Sequence, residues 1–209
     1  MAVVFAREYL HLHLTGNSLK SILETPKIPK VFFDIRNDSD ALYSQYHICV
    51  DGIIDVQVLE LATRNSSKEF VAGLARCIEK DSTVSGDVKR ISQRTKESVG
   101  QLYDPRKGGR YEVFNERALK TEIIQYCKQD VELLPTFWEV YSCKLRVPSN
   151  GFWQSAVKQA TLEQIKLSRS VHYDGQAKTK VCGPWDSYNI EDSKEDRNDD
   201  VMIWGVMRA

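Results

Sequence analysis

The amino-acid sequence predicts an α/β fold, in which helices pack against a sheet. Two features of the pattern predict it. In the first third of the chain, short apolar runs of strand-forming residues alternate with segments that have the three- and four-residue spacing of helices. In the second half, longer helical patterns follow. At 209 residues the chain is long enough to bury one core, so we expect one domain with an appended part.

The first third of the chain contains the predicted strands. Residues 9–14 alternate between apolar and polar side chains, which is the period of a half-buried strand. Further on, the pattern predicts strands over 31–35, 47–50 and 53–56, and helices over 18–24, 38–46, 59–62 and 67–78. Asn37 or Asp38 is the expected cap of the helix after 31–35, and Ser67 that of the helix that buries Phe70 to Ile78.

Residues 80–110 form a basic, polar stretch in which the periodic pattern is lost. Seven lysines and arginines follow Asp81, and the stretch ends at Gly108-Gly109. One interpretation is a solvated surface loop, and the other is a segment that contacts phosphate groups. The sequence alone does not choose between them.

A long helical pattern runs from about residue 117 to 145, and Pro135 is expected to kink or break it. Its predicted buried stripe consists of Ile123, Cys127, Leu134, Trp138, Tyr141 and Leu145. Tyr126 and Asp130 lie four residues apart on the margin of this stripe, so the carboxylate is expected to be partly desolvated. Alone, such a pair is usually structural, and its interpretation depends on the context.

The C-terminal part contains a further predicted helix over 152–167 and an acidic, polar end from 186 to 200 that is expected to have little fixed structure. Trp153, Tyr173 and Trp185 lie among lysines and arginines. Such interleaving is typical of proteins that stack the bases of a single strand, but aromatic residues also pack in cores. Core packing is the expected role.

The charge balance and the absence of targeting patterns bear on the partners and the cellular location expected of the protein. Lysine plus arginine and aspartate plus glutamate are equal, at 29 each, so net charge gives no indication of a nucleic-acid partner. No stretch has the roughly 18 apolar residues of a membrane span, and no secretory signal pattern opens the chain. We therefore expect an intracellular protein, nuclear or cytoplasmic, with no membrane partner.

Three segments, read together, resemble the ribonuclease-D-like 3'-5' exonucleases. They are Lys30-Val-Phe-Phe-Asp-Ile-Arg-Asn-Asp-Ser-Asp-Ala-Leu42, Asp55-Val-Gln57 and Tyr126-Cys-Lys-Gln-Asp130. They look like the second motif, an intervening D-x-Q and the third motif of the tyrosine-containing (DEDDy) type. The likeness covers about residues 9–141 and is nearest to fungal 3'-5' exonuclease domain proteins. It implies a ribonuclease-H-like mixed sheet flanked by helices, with a C-terminal helical extension.

The resemblance also implies a two-metal site that hydrolyses phosphodiester bonds. Members of the family hold two cations with four carboxylates, and such oxygen ligands suit Mg²⁺ or Mn²⁺. Carried over by position, Asp38 and Asp130 are metal-binding acids, and Tyr126 orients the attacking water. Asp34 and Asp40 flank Asp38 and are rival candidates for its role.

The family's first motif, an Asp-x-Glu pair on an early strand, has no counterpart in the sequence. Glu8 is the only acid before Tyr9. The resemblance thus implies that the first strands and two of the four metal ligands are missing, as in a shortened gene model or a degenerate member. Little or no nuclease activity is expected of the chain as given.

The main expectation is a 3'-5' exonuclease domain protein that acts on RNA or single-stranded DNA. Residues 1–147 are expected to form the incomplete exonuclease-like domain, 148–185 the helical extension and 186–209 an acidic tail. The alternative is a non-catalytic nucleic-acid-binding or adaptor module on the same fold, which the missing motif and the basic stretch favour.

Overall fold

The computed structural model describes residues 4–5, 18–80, 84–147 and 151–185, of which 4–5 are described by their backbone. The strands are β1 (Val4–Phe5), β2 (Lys30–Phe32) and β3 (Ile53–Asp55). The helices are α1 (Leu19–Glu24), α2 (Ile35–Tyr46), α3 (Val56–Thr63), α4 (Leu74–Lys80), α5 (Gly86–Tyr103), α6 (Thr121–Glu132), α7 (Leu134–Leu145) and α8 (Gly151–Ser168). The strand predicted over 9–14 and the acidic tail lie outside the described residues.

The described strands form a mixed sheet in the order β1-β2-β3, as the resemblance predicts. β1 is antiparallel to β2, and β2 is parallel to β3. The central strand is fully buried, because helices cover both of its faces. Successive side chains of a strand point to opposite faces, so Val31 and Phe32 belong to different cores.

Two cores lie on the two sides of β2. On the side of Val31, α3 and α7 pack together and α8 completes the cluster with Trp153. On the side of Phe32, α2 packs against the other end of α8 through Leu42 and Ile165. Helix α8 therefore contributes to both cores.

Several boundaries that the sequence predicts for the strands and helices between residues 31 and 78 differ from those in the structure. The strand over 31–35 ends at Phe32, and α2 begins at Ile35, ahead of the expected caps Asn37 and Asp38. A buried side chain from β3 binds the backbone there, as described below. Residues 47–50 form no strand, and α4 begins only at Leu74. Phe70 is exposed and forms an isolated bridge with Cys182 instead of entering a helix.

The surface-loop interpretation of 80–110 is wrong for most of this stretch, which is the 18-residue helix α5, whereas contact with phosphate groups stays a prediction. The hydroxyl of Ser85 caps the helix by accepting the N–H of Val88 at 3.3 Å. The fully buried positions of α5 are Ser92, Val99 and Gly100. The helix is amphipathic, but it is so polar on average that its sequence is easily taken for a loop.

The predicted break near Pro135 is confirmed. α6 ends at Glu132, and α7 begins at Leu134 with the proline in its first turn, where a missing N–H costs nothing. The continuous stripe is only partly confirmed, since Ile123 and Leu134 are buried but Cys127 is exposed. No helix in the described part of the chain is both long and apolar enough to cross a membrane.

Candidate active site

A buried aspartate holds the start of the helix that carries Asp38. The carboxylate of Asp55, at the end of β3, is fully buried and accepts three backbone N–H groups. Oδ1 accepts from Asp34 at 3.1 Å and from Gln57 at 2.9 Å, and Oδ2 accepts from Ile35 at 2.9 Å. One side chain thus joins the end of β2 to the starts of α2 and α3. Burial raises the pKa of Asp55 to about 6, although the three N–H groups oppose the rise.

Asp38 lies in the first turn of α2, next to the carboxyl end of β2. The residue is half-buried, and burial raises the pKa of its carboxyl group. The charge of Asp34 adds to the rise, and the ammonium group of Lys180 opposes it. The structure therefore places Asp38 in a partly desolvated position at the edge of the sheet, where an ionised carboxylate benefits from a nearby cation.

The two rival acids are arranged differently. Asp34 precedes α2 in a left-handed conformation, with φ of 58°, and both of its oxygens accept from Arg36, at 2.6 and 3.0 Å. In this bidentate pair both oxygens of Asp34 are engaged by the guanidinium group of Arg36. Asp40 follows Asp38 by two residues, about 200° around the helix, so the two side chains point in different directions.

Tyr126 and Asp130 are electrostatically coupled neighbours, and each shifts the pKa of the other. They lie one turn apart on α6, and both are half-buried. Burial raises the pKa of the phenol, and so does the charge of Asp130. Burial also raises the pKa of Asp130, and the Tyr126 hydroxyl opposes that rise. The structure thus brings two of the three candidate residues together, as a neutral phenol beside a carboxyl group.

Helix α5 supplies two neighbours of this pair, Lys96 and Tyr103, for which no role at the site was predicted from the sequence. The ring of Tyr103 lies 5.5 Å from that of Tyr126, and its proximity helps to raise the pKa of the Tyr126 phenol. The charge of Lys96 opposes the raised pKa of Asp130. Lys96 and Tyr103 are seven residues apart, which puts them on the same face of a helix. This spacing is the signal from which the sequence could have revealed them.

The glycine pair after α5 lets the chain fold back against the helix. Gly108 has a φ of +87°, and an added Cβ at Gly109 would lie 2.5 Å from the carbonyl carbon of Leu102. The fold-back brings Tyr111 and Phe114 against Tyr103, with ring centroids 6.3 and 5.5 Å from it. These rings support Tyr103 and, through it, Tyr126.

The oxygen atoms of Asp38 and Asp130 are of the kind that Mg²⁺ and Mn²⁺ prefer. Within the described ranges, however, no three His, Cys, Asp or Glu side chains are grouped closely enough to hold a metal ion. The chemistry of the donors therefore fits a divalent cation, but the number of donors in this part of the chain does not complete a metal centre.

A family model described as 3'-5' exonuclease matches residues 6–139, which is more than half of the sequence. The chain belongs to this 3'-5' exonuclease family. The matched range includes Asp38, Tyr126 and Asp130. It ends within α7, so α8 and the residues after it lie beyond the family match.

Solved structures of ribonuclease D from Trypanosoma brucei resemble this exonuclease domain. The complex with GMP gives a TM-score of 0.58 at 19% identity, covering 79% of this chain and 48% of that chain. The complex with RNA U12 gives 0.57 at 19% identity, covering 81% and 54%. The domain therefore has the ribonuclease-H-like fold of ribonuclease D and spans about half the length of these proteins. Among curated proteins, none matches the chain.

Proposed function

We propose that this domain hydrolyses phosphodiester bonds from the free 3' end of RNA or single-stranded DNA, with Asp38, Tyr126 and Asp130 as its part of a two-metal site. The observation that supports the proposal is the half-buried pair of Tyr126 and Asp130, one turn apart on α6 of an exonuclease-family fold. The ribonuclease D complexes with GMP and with RNA U12 are consistent with a nucleic-acid substrate.

Each residue has a distinct task in the proposed reaction. Asp38 and Asp130 would hold Mg²⁺ or Mn²⁺, which stabilises charge on the scissile phosphate and lowers the pKa of the attacking water. Tyr126 stays protonated because burial and the charge of Asp130 raise the pKa of the phenol, so its oxygen can orient a water molecule. Asp55 positions Asp38 by holding the first turn of α2.

In this proposal, full activity needs two further metal-binding carboxylates besides Asp38 and Asp130. The sequence has no Asp-x-Glu pair before Tyr9, and two carboxylates hold a pair of cations poorly. We therefore expect slow hydrolysis by these 209 residues and faster hydrolysis once an upstream segment with Asp-x-Glu is joined to them.

The proposal is tested with 5'-labelled RNA and DNA strands of one sequence, each with a free or a phosphate-blocked 3' end. With Mg²⁺ or Mn²⁺ and the upstream pair present, we expect stepwise shortening of the unblocked strands. Asp38→Asn, Asp130→Asn or Tyr126→Phe should each slow it by about a hundredfold or more. Asp40→Asn is the matched control and should leave the rate nearly unchanged. No shortening, or an equal loss with Asp40→Asn, would contradict the proposal.

A second candidate function is a non-catalytic module that binds nucleic acid. The observation that favours it is the lack of any group of three metal ligands within the described ranges. This module would bind single strands in a salt-sensitive manner, and Asp130→Asn would leave that binding intact. Undetectable binding at low salt would exclude it.

A further inference from the structure

The segment that follows α8, residues 170–185 and here called the C-terminal segment, lies beyond the family match but contacts the candidate active site. Backbone hydrogen bonds join it to the loop after α3. The N–H of Val71 donates to the carbonyl oxygen of Val181 at 2.9 Å, and the N–H of Gly183 donates to that of Glu69 at 2.7 Å. The C-terminal segment is therefore a fixed part of the fold.

Asn37, in the first turn of α2, is the main point of contact between this segment and the helix. Its Oδ1 atom accepts from the Tyr173 hydroxyl at 2.7 Å and from the Lys180 ammonium group at 2.6 Å. The approach is close, because a Cβ added at Gly175 would lie 2.9 Å from the same oxygen atom. Asn37 directly precedes Asp38, so these two donors hold the turn that carries the candidate metal-binding acid.

The three aromatic residues of the C-terminal part have different roles. Trp153 and Trp185 pack edge to face, with ring centroids 4.9 Å apart, in the core around Val31. The core role expected of the aromatics is thus confirmed for the tryptophans. Tyr173 instead uses its hydroxyl to bind the first turn of α2.

The Lys180 ammonium group is engaged by the protein itself. Besides its bond to Asn37, it donates to the carbonyl oxygen of Gly175 at 3.3 Å and lies 3.8 Å from Oδ2 of Asp34. An ammonium group has three donors, and these three oxygen atoms account for them. The Lys180 side chain is only 16% exposed. Lys180 is therefore placed to hold the start of α2 and not to bind a phosphate group of the strand.

The start of α2 depends on such contacts because it lacks a cap of its own. Asp34, the residue before the helix, has a left-handed φ of 58°, and its side chain forms no capping hydrogen bond within the described part of the chain. Asp55 holds the backbone N–H groups at this point. The C-terminal segment holds the next two side chains, since Arg36 donates to the carbonyl oxygen of Lys180 at 3.0 Å and Asn37 accepts from its ammonium group.

We propose that the C-terminal segment belongs to the catalytic unit, with Lys180 as a positioning residue that acts through Asn37 to fix the direction of the Asp38 carboxylate. The inference rests on the proposed function, which makes Asp38 a metal-binding acid. Groups that take part in a reaction must be held to within about 0.5 Å, and a misplacement of about 1 Å can slow the reaction about a hundredfold. Two separate parts of the chain, β3 and the C-terminal segment, hold the first turn of α2 in this way.

The first test measures kcat and KM for the unblocked strand that the wild-type protein shortens faster, with Mg²⁺ or Mn²⁺ and the upstream pair present. Lys180→Met should lower kcat by about tenfold or more and change KM by less than about twofold, because it displaces a reacting group without removing a contact with the strand. Tyr173→Phe removes one hydroxyl and should lower kcat by about threefold. Lys178→Met, at an exposed position in the same turn, is the matched control and should hydrolyse as the wild type does.

A double-mutant cycle tests whether Lys180 acts through Asn37. Asn37→Ala should lower kcat by about as much as Lys180→Met does, and the two changes together should cost less than about twofold more than either alone. Independent losses, which would multiply to about a hundredfold, would overturn the inference.

Hydrogen exchange gives a second readout that does not depend on activity. In the metal-free protein, the backbone N–H groups in the first turn of α2 should exchange about fivefold or more faster in Lys180→Met than in Lys178→Met, whereas those of α7 should not change. If Lys180→Met does not fold, the same local effect is expected of Tyr173→Phe. Equal exchange in the first turn of α2, or faster exchange throughout a folded variant, would overturn the inference.

The kinetic outcomes separate this inference from the proposed function. A raised KM with unchanged kcat in Lys180→Met would make Lys180 a strand-binding residue and overturn the inference. Unchanged hydrolysis in Lys180→Met would also overturn it and leave the proposed function standing. No hydrolysis by the wild-type protein would overturn the proposed function, and the inference with it.

Discussion

Asp55 satisfies three backbone N–H groups that would otherwise be buried without an acceptor. Its charge is itself disfavoured by burial, which is why its pKa is raised. The same balance between desolvation and specific partners governs Asp38 and Asp130, whose pKa values are also raised by burial and opposed by a lysine. At the scale of single residues, the candidate site is a set of buried or half-buried carboxylates, compensated by backbone N–H groups at Asp55 and by nearby lysines at Asp38 and Asp130.

Removing the Asp55 carboxylate should destabilise the protein in a graded way. Asp55→Ala leaves three N–H groups unpaired, and we expect it to lower the free energy of unfolding by about 3 kcal/mol or more. Asp55→Asn keeps one acceptor oxygen and should cost about 1–2 kcal/mol. Urea denaturation measures both values. The control is Asp87→Asn, an exposed ion-pair residue that should change stability by less than about 0.5 kcal/mol. A stability loss of less than about 0.5 kcal/mol for Asp55→Ala would contradict the role of Asp55 in holding the starts of α2 and α3.

Asp55 should also make stability depend on pH. Its pKa is about 6 in the folded state against 3.8 for the unperturbed group, so the native state binds more protons between these values. The contribution of Asp55 to the free energy of unfolding should therefore be full below about pH 4 and fall as the pH rises through 6, by about 3 kcal/mol in total. The difference between wild type and Asp55→Asn, measured from pH 3.5 to 7.5, isolates this contribution. A difference that stays constant or grows with pH would rule the explanation out.

Tyr126→Phe should raise the pKa of Asp130 further. The Tyr126 hydroxyl lowers the pKa of Asp130 and so favours the charged form, and phenylalanine leaves only burial and the more distant charges. NMR titration of the side-chain carboxyl carbon reports the shift, and we expect a stability loss of about 1 kcal/mol alongside it. Tyr111→Phe, an exposed ring in the same aromatic group, should leave the Asp130 titration unchanged. An unaltered or lowered pKa in Tyr126→Phe would mean that the phenol does not favour the ionised carboxylate.

At the scale of elements, α5 and α6 form a unit with its own small core. Val99 of α5, Ile123 of α6 and Val113 between them are buried together, and Tyr103 and Tyr126 pack at the edge. This core is separate from those on the two faces of the sheet. The site residues of α6 therefore depend on how α5 ends and on how the chain returns from it.

The turn at Gly108-Gly109, where the chain folds back against α5, should not tolerate an added methyl group at Gly109. Gly109→Ala would place a Cβ 2.5 Å from backbone atoms at Leu102, so the chain must move, and we expect a loss of about 2 kcal/mol or more. Hydrogen exchange should show faster opening of α5 and α6 than of α3 and α7. Gly86→Ala, at the start of the same helix, meets no atom within 4 Å and should be neutral or slightly stabilising. Uniformly faster exchange across the chain would contradict a local role for the turn.

At the scale of the whole molecule, charge is balanced and any attraction for nucleic acid must be local. The candidate acids lie near lysines on two different elements: Lys180 beside Asp38 and Lys96 beside Asp130. Helix α8 connects the two main cores and leads into the C-terminal segment next to α2. The lysines nearest the candidate acids are thus already beside carboxylates, so we expect a strand bound at this site to gain few phosphate contacts there.

Binding of single strands should accordingly depend only moderately on salt. For three or four neutralised phosphates, the slope of log affinity against log salt is about −2 to −3 on a single strand. Anisotropy titrations at several KCl concentrations measure it, with Arg94→Gln, on the exposed face of α5, as a probe of that face. A slope steeper than about −5 would show that an extended basic surface takes part.

Local pattern was enough for a large part of the architecture. The existence of α1, β2, α2, β3 and α3, the break near Pro135 and the helix over 152–167 follow from spacing, turn residues and proline, which act over a few residues, although the strand predicted over 47–50 is absent. Sequence motifs were also enough for the family, which the match over residues 6–139 shows. The roles of Asp38, Tyr126 and Asp130 stay predictions.

Contacts between distant residues settled the rest. The start of α2 depends on Asp55, 20 residues after the Ile35 N–H that it accepts, so the helix begins earlier than local capping rules indicate. Helix α5 is held by a thin apolar stripe against α6, and its Tyr103 reaches Tyr126 only once both helices are folded. The contact between Lys180 and Asn37 spans 143 residues. Such contacts leave no periodic trace in the sequence, because they depend on how elements pack in three dimensions.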